Sequence, residues 1–372
     1  MFSPVRFPND VEELVRFVEE TPTGEIIPAT LAKLRAGLEP KSLLRAGALA
    51  VTRSTELPGH HHGGPIHPVS GTYPVYHTSR MLSGETAFLP IIQHTALCNL
   101  HVHEPDMGPY IMPEIEPLGA GDNSAKAVRE AFDRQMRMRH RSAIEKHLLW
   151  FLENLPQDEV LDIILSKAVT RNPEDDHYFL YPSFTSRALD LIGWEWAKYL
   201  LRPTVTYLSQ GTFYTGANAP PFANIEALLT QYKLLEMPVK QHTSAAETQA
   251  VGALAERAGN TNAYAEIPVM VAEAIAGGLS IEGAGEAMSI GASVIHLRTS
   301  YGNPMDVHLH TGINVRRYLL KKPGISTRTK LLLLLTWHSG PEVRLSEKKM
   351  EWSAKVESER MAKLPARSQP EL

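Results

Sequence analysis

The sequence predicts an all-α fold in which one helix–loop–helix module recurs about three times and closes into a helical toroid or pseudo-symmetric bundle. Three observations carry this expectation. Apolar residues recur at helical spacing over most of the chain, sustained period-two alternation is absent, and segments far apart in sequence resemble one another.

The elements follow in order. Asn9-Asp10 opens a helix whose Val11, Leu14, Val15 and Val18 fall at i, i+3, i+4 and i+7. Pro28 starts another. Over 122–155 a long helical stretch, strongly charged in its first half, keeps Val128, Ala131 and Phe132, then Ile144, Leu148 and Phe151, at three- to four-residue spacing. Further helical patterns cover 157–170, 184–201, 222–235, 244–258, 264–277, 281–297, 307–320, 325–338 and 345–362. The β-prone run 204–208 is short. The helical domain is expected over 1–362, with 363–372, polar and punctuated by proline, as a flexible tail.

The repeat is read from two pairs of segments. RAGLEPKSLLRAGALAVTRST (35–55) and AGGLSIEGAGEAMSIGASVIHLRTS (276–300) both run from Gly-Leu through a polar helix start and a small-residue helix to an arginine with hydroxyl neighbours. GGPIHPVSGTYPVYHTSRML (63–82) and GNPMDVHLHTGINVRRYLL (302–320) then share proline, histidine and a hydroxyl–glycine pair in the same order, with His67 and Gly71 spaced as His308 and Gly312. A fainter third copy runs from PQDEVLDIILSKAVTR (156–171) into HYFLYPSFTSRALDLIG (177–193). The modules are placed at 35–103, 156–208 and 276–340. Such a module cannot bury its apolar stripe alone and must pack on its neighbours.

Composition limits the function classes. Of 372 residues, 37 are basic and 41 acidic, so no strong field favours nucleic acid or an anionic membrane. The single cysteine, Cys98, suits a reducing compartment. The N-terminal MFSPVRFPND lacks the pattern of a secretion signal, and the longest aliphatic run, 331–335, is far below the ~20 residues of a membrane span. A cytoplasmic protein is expected, without nucleic-acid or membrane partners, and a homodimer is among the allowed assemblies.

The sixteen histidines are the chief chemical clue. The stretch Pro58-Gly59-His60-His61-His62-Gly63-Gly64-Pro65-Ile66-His67-Pro68 sets four imidazoles among three glycines, before a proline suited to open a helix. Neutral imidazoles on a bendable loop suit Fe(II), Zn(II) and Cu(II). His177 and His308 occupy the matching places in the other modules. His308 and His310, two apart on a helix, would point about 200° from one another, and the repeat favours His308 as the inward one. His60, His62, His67, His177, His308 and His310 form the candidate metal set. His296 is expected to be buried, as ligand or core residue. His101 and His103 with Glu104 read as an extended helix exit whose imidazoles share a face.

Arg53, Arg171 and Arg298 each end the first helix of a module. There they complement the helix dipole, contributing about 0.3–1 kcal/mol, or else attract an anionic substrate. With Tyr73, Tyr76 and Tyr301 they make the candidate substrate-binding set. Against other chemistries, the only Glu-x-x-His is Glu174 to His177 in a loop-like context. His-Glu-x-x-His, Cys-x-x-Cys, Gly-x-Ser-x-Gly, a P-loop and a strand-borne Gly-x-Gly-x-x-Gly are all absent.

The His-Gly-Gly-x-x-His-Pro-like loop and Ile192-Gly193-Trp194 resemble features of uncharacterised bacterial helical proteins. More distantly, DVHLHTGINVRRYLL and the aliphatic segment after it are similar to the C-terminal region of the questin oxidase-like family. That resemblance implies a helical protein with non-haem iron held by several histidines and a carboxylated lysine, acting by cleavage of anthraquinone rings. His308 is the best-matching residue; no lysine lies between His296 and His310, a departure from the family's pattern, and Lys240 in VKQH is only a guess at that role. The expected function is therefore a histidine-ligated metal-dependent oxidoreductase, a non-haem iron oxygenase using Fe(II) and O2 on a small, partly apolar or aromatic molecule. A zinc hydrolase with the same ligands and a metal-free helical scaffold or binding protein are the alternatives.

Overall fold

A computed structural model describes residues 3–56, 64–119, 121, 123–171, 177–210, 222–298 and 307–337. Those residues form sixteen α-helices and no strand. One isolated bridge joins Pro4 to Pro113. The chain divides into two compact units, 1–217 with 321–333 and 218–320 with 334–372. No described helix is long and apolar enough to cross a membrane. The patterns at 345–362 and 363–372 lie outside the described residues.

The first unit holds α1 (Asn9–Glu20), α2 (Ile26–Arg35), α3 (Pro40–Ser54), α4 (Ile66–Arg80), α5 (Phe88–His103), α6 (Ala125–Met138), α7 (Arg141–Asn154), α8 (Gln157–Arg171), α9 (His177–Ile192) and α10 (Ala197–Ser209). α3 lies at its centre, against α1, α4, α5, α9 and α10. Every residue of α3 from Leu43 to Arg53 is buried except Arg45, so the helix has no solvent face to speak of. Each buried leucine or valine there contributes roughly 1.5–3 kcal/mol. Ala46, Gly47, Ala48 and Ala50 let the neighbouring helices close in. A Cβ on Gly47 would stand 3.0 Å from Cys98 Sγ on α5.

The 122–155 stretch is two helices, not one. Arg139 takes a left-handed conformation, φ 59°, and His140 N–H reaches back to the Gln135 carbonyl at 3.2 Å. The reversal brings Val128, Phe132 and Met136 of α6 onto the same core as Ile144, Leu148 and Phe151 of α7, with Phe132 edge-on to Phe151 at 5.3 Å. The 184–201 pattern is likewise divided, because Gly193 at φ 112° ends α9 and a short 3-10 turn, Trp194–Trp196, leads into α10. The β-prone residues 204–208 sit inside α10, where all five are buried. Tertiary burial overrides their strand preference.

The second unit contains α11 (Phe222–Gln231), α12 (Thr248–Asn260), α13 (Ile267–Ala276), α14 (Ile281–Arg298) and α15 (Val307–Leu320). α16 (Thr327–Leu335) passes from the first unit into the second after Leu333. α12 and α14 meet through small residues: Cβ atoms on Gly259 and Gly291 would stand 2.7 Å from Val294 and 3.3 Å from Ala258.

Two helix ends share one geometry. After α2, Gly37 (φ 92°) donates to the Leu34 carbonyl and Leu38 to Lys33, both at 3.0 Å. After α13, Gly278 (φ 100°) donates to Ile275 and Leu279 to Ala274, also at 3.0 Å. Each is a Schellman end, closing two orphan carbonyls with a left-handed glycine. No atom lies within 4 Å of where a Cβ would stand at either glycine. Gly37→Ala and Gly278→Ala should therefore each cost about 1–2 kcal/mol of conformational strain alone, read by urea denaturation. Gly24→Ala, at a glycine with equally open space but no positive φ, should be close to neutral. A loss at Gly24 equal to the other two would show that the strain assignment is wrong.

Candidate functional site

α4 begins at Ile66, two residues earlier than Pro68 suggests, because Pro65 takes the capping place. His67 therefore lies in the first turn, exposed, between buried Ile66 and Pro68. His177 is the first residue of α9, which packs along α4. One turn further, Tyr181 is buried and meets both rings. Its hydroxyl lies 3.1 Å from His67 Nε2. The His67 and His177 ring centres are 5.8 Å apart and nearly perpendicular, and Tyr181 stands 5.4 Å from the first and 5.3 Å from the second. Behind Tyr181 lies Tyr207 of α10 at 5.0 Å, itself stacked on Tyr178 at 4.7 Å. The packing of α4, α9 and α10 thus produces an imidazole pair on a wall of three buried tyrosines.

Other expected site residues have varied positions. His60, His62 and Tyr301 lie outside the described residues, as do the side chains of Arg171, Arg298 and His308. His310 of α15 pairs with His296 of α14 in the second unit, ring centres 5.1 Å apart. His296 is exposed there and not buried as expected. His101 and His103 are the last turn of α5 and not an extended exit, so they diverge. Their Nδ1 atoms face carbonyls four residues back, Leu97 at 3.0 Å and Asn99 at 2.9 Å. Lys240 reaches Glu247 at 3.8 Å from a mostly exposed position. Among the described residues, no three histidine, cysteine, aspartate or glutamate side chains are grouped to hold a metal.

The substrate-binding candidates that can be followed are engaged with the protein. Arg53 is buried and held by Glu12 at 2.7 Å and by Glu19, both from α1. The ring of Tyr73 lies against His77 at 4.2 Å and under the Arg187 guanidinium at 4.3 Å. Tyr76 lies under Lys41 at 5.1 Å and Arg80 at 5.9 Å.

Sequence reasoning passed over His94, one turn before Cys98 in the apolar α5. His94 Nε2 donates to the Pro68 carbonyl at 2.9 Å and lies 3.4 Å from Thr72 Oγ1; its Nδ1 lies 3.7 Å from Cys98 Sγ. The signal was present as histidine and cysteine spaced i, i+4, facing two glycines: a Cβ at Gly71 would stand 3.4 Å from the ring. Burial pushes the His94 imidazole down to about 4 and the Cys98 thiol upward. A thiol so held is not a nucleophile at neutral pH. The pair is a clamp, fixing the carbonyl next to His67.

Comparison of the chain with known protein families, with curated proteins and with solved structures found no match in any of the three.

The clamp makes stability depend on pH. The unfolded imidazole binds a proton near 6.5 and the folded one only near 4, so acid favours unfolding between those values. The stability that neutral His94 confers is present above about 6.5 and drains away as pH falls towards 4. His94→Gln keeps a donor and removes the titration. The wild type's stability relative to this variant should fall by roughly 2 kcal/mol from pH 7 to pH 4.5, measured by urea unfolding. Parallel stability curves for the two proteins would mean that His94 titrates normally in the fold.

Proposed function

We propose that the chain is a histidine-ligated metal-dependent oxidoreductase, a non-haem iron oxygenase acting on a small, partly apolar or aromatic molecule. The meeting of His67 and His177 carries this reading. Imidazoles bind such ions at about 2.0–2.1 Å, so two of them on one ion have ring centres roughly 4.5–6.4 Å apart. The observed 5.8 Å lies inside that window. His60 and His62, a few residues before α4 in sequence, are the further donors in this reading. In the second unit His296 and His310, at 5.1 Å, meet the same geometric condition.

The protein's own residues have definite parts in this scheme. The Tyr181 hydroxyl, 3.1 Å from His67 Nε2, orients that imidazole. Tyr178, Tyr181 and Tyr207 keep water from the inner side of the pair. Pro68, clamped by His94, holds the helix start that carries His67. A bound ion would supply Lewis acidity, and iron would add one-electron chemistry towards dioxygen. The similarity of DVHLHTGINVRRYLL to the questin oxidase-like family points the same way. The pairs α3–α4, α8–α9 and α14–α15 are, in this reading, copies of one module, which the matching ends at Gly37 and Gly278 support.

Metal analysis of the purified, iron-reconstituted protein tests the proposal. About one equivalent of iron is expected, falling at least tenfold in His67→Ala and His177→Ala. Tyr181→Phe should weaken metal binding by about 10–100-fold, while His140→Ala on the exposed α6–α7 turn should match wild type. Zinc retained in preference to iron would transfer the reading to a hydrolase. Wild type that holds neither ion is a metal-free scaffold, and the proposal fails.

A further inference from the structure

The first unit also contains a groove of about 1230 Å3 between the segment 109–117 and the first turns of α7. The segment reads PYIMPEIEP, and its prolines hold it extended. It is anchored by Val5 N–H to the Met112 carbonyl at 2.9 Å, Met112 N–H to Arg53 at 2.8 Å and Glu114 N–H to Ser3 at 2.7 Å. Met112 is buried, whereas Ile111 is 54% exposed and lines the groove with Ile115 and three prolines. One wall is therefore apolar.

The floor is a charged network centred on Glu145. Its carboxylate accepts from Arg202 Nε at 2.7 Å, Arg141 Nε at 2.9 Å and Thr206 Oγ1 at 3.2 Å. Arg202 Nη1 donates to the Pro113 carbonyl at 2.8 Å, Arg141 Nη1 to Glu56 at 2.9 Å, and Arg141 Nη2 to the Tyr110 hydroxyl at 2.7 Å. Arg202 and Glu145 are almost wholly buried. With Glu145 accepting from three donors, the network has donors left over.

Three groove-lining residues carry donors that no described residue takes up, two from this network and Lys146 beside it. Arg202, 2% exposed, has no acceptor for Nη2 among the described residues. The Tyr110 hydroxyl accepts from Arg141, and its own proton has no acceptor among them. Burial pushes this phenol upward, so the proton stays in place at neutral pH. Lys146 has no carboxylate partner among the described residues. Arg202 Nη2 is not shut off from solvent and opens to the groove, where a ligand oxygen can accept from it.

We infer that this groove binds an organic carboxylate with an apolar body, taking its two oxygens on Arg202, Tyr110 and Lys146 and its hydrocarbon against Ile111 and Ile115. A planar monoanion suits the donors, because guanidinium groups match carboxylates well. Glu114 and Glu116 line the same groove and oppose a dianion such as phosphate. The site is separate from the histidines, and the inference does not rest on metal binding.

Calorimetric titration of the full chain with decanoate tests it, with decylamine as the cationic counterpart. Decanoate should bind, and decylamine should bind at least tenfold more weakly. Lys146→Ala and Tyr110→Phe, which spare the Glu145–Arg202 pair, should each weaken decanoate about tenfold, or about 1.4 kcal/mol. Ile111→Asp, an exposed change, should weaken it similarly, and Lys126→Ala on α6 should not. Absence of decanoate binding, equal binding of decylamine, or unchanged affinity in both Lys146→Ala and Tyr110→Phe would overturn the inference. Circular dichroism of each variant separates lost binding from lost folding.

Discussion

The first unit is organised around a helix with almost no surface of its own. Apart from Arg45, α3 is apolar or small from Leu43 to Val51, and burial on nearly all sides is the arrangement that suits such a helix. Covering it requires close neighbours, and its alanines and Gly47 make their approach feasible. It also requires that the charge at its end be met. Arg53 enters the interior with Glu12 and Glu19 of α1 closed around it, so the helix that covers one side of α3 also neutralises its only fully buried cation. A buried cation with one partner removed would cost several kcal/mol, so the docking of α1 is closely specified.

That arrangement passes outward to the imidazoles. α5 presses on Gly47 through Cys98, which sets His94 beneath the start of α4. The Pro68 carbonyl is held there, and α4 lies along α9 so that His67 meets His177. The positions of two partly exposed histidines thus depend on a third that is buried and neutral. The groove by α7 has a different logic. There the ion pair of Glu145 and Arg202 is enclosed, the carboxylate is satisfied, and donor capacity remains facing the open space. The first place brings imidazoles together, and the second gathers hydrogen-bond donors.

The helices were legible wherever an apolar period ran between local signals. The pattern at 307–320 coincides with α15, and 157–170 and 281–297 each fall one residue short of α8 and α14. The break at Arg139 was not legible, because neither glycine nor proline marks it. An arginine is held left-handed there by the gain from stacking two apolar faces on one core. The exit at His101 and His103 was misread for a related reason: Pro105 ends the helix later than the polar residues suggest, and helical carbonyls take both imidazoles. Arg53 is held by Glu12 and Glu19 of α1, carboxylates of another helix, where its place at a helix end had suggested its own terminal carbonyls or an anionic substrate.

The sequence by itself determined the all-α class, the histidines at the starts of α4 and α9, and the matching Gly-Leu pairs at Gly37 and Gly278. Each depends on interactions spanning only a few residues, which periodicity and backbone preference register directly. Tertiary structure decided which imidazoles meet, which one is neutral, and which donors lack acceptors among the described residues. Those properties arise when residues distant in the chain share a desolvated space, because burial and pairing set both the charge of a side chain and what remains for it to bind.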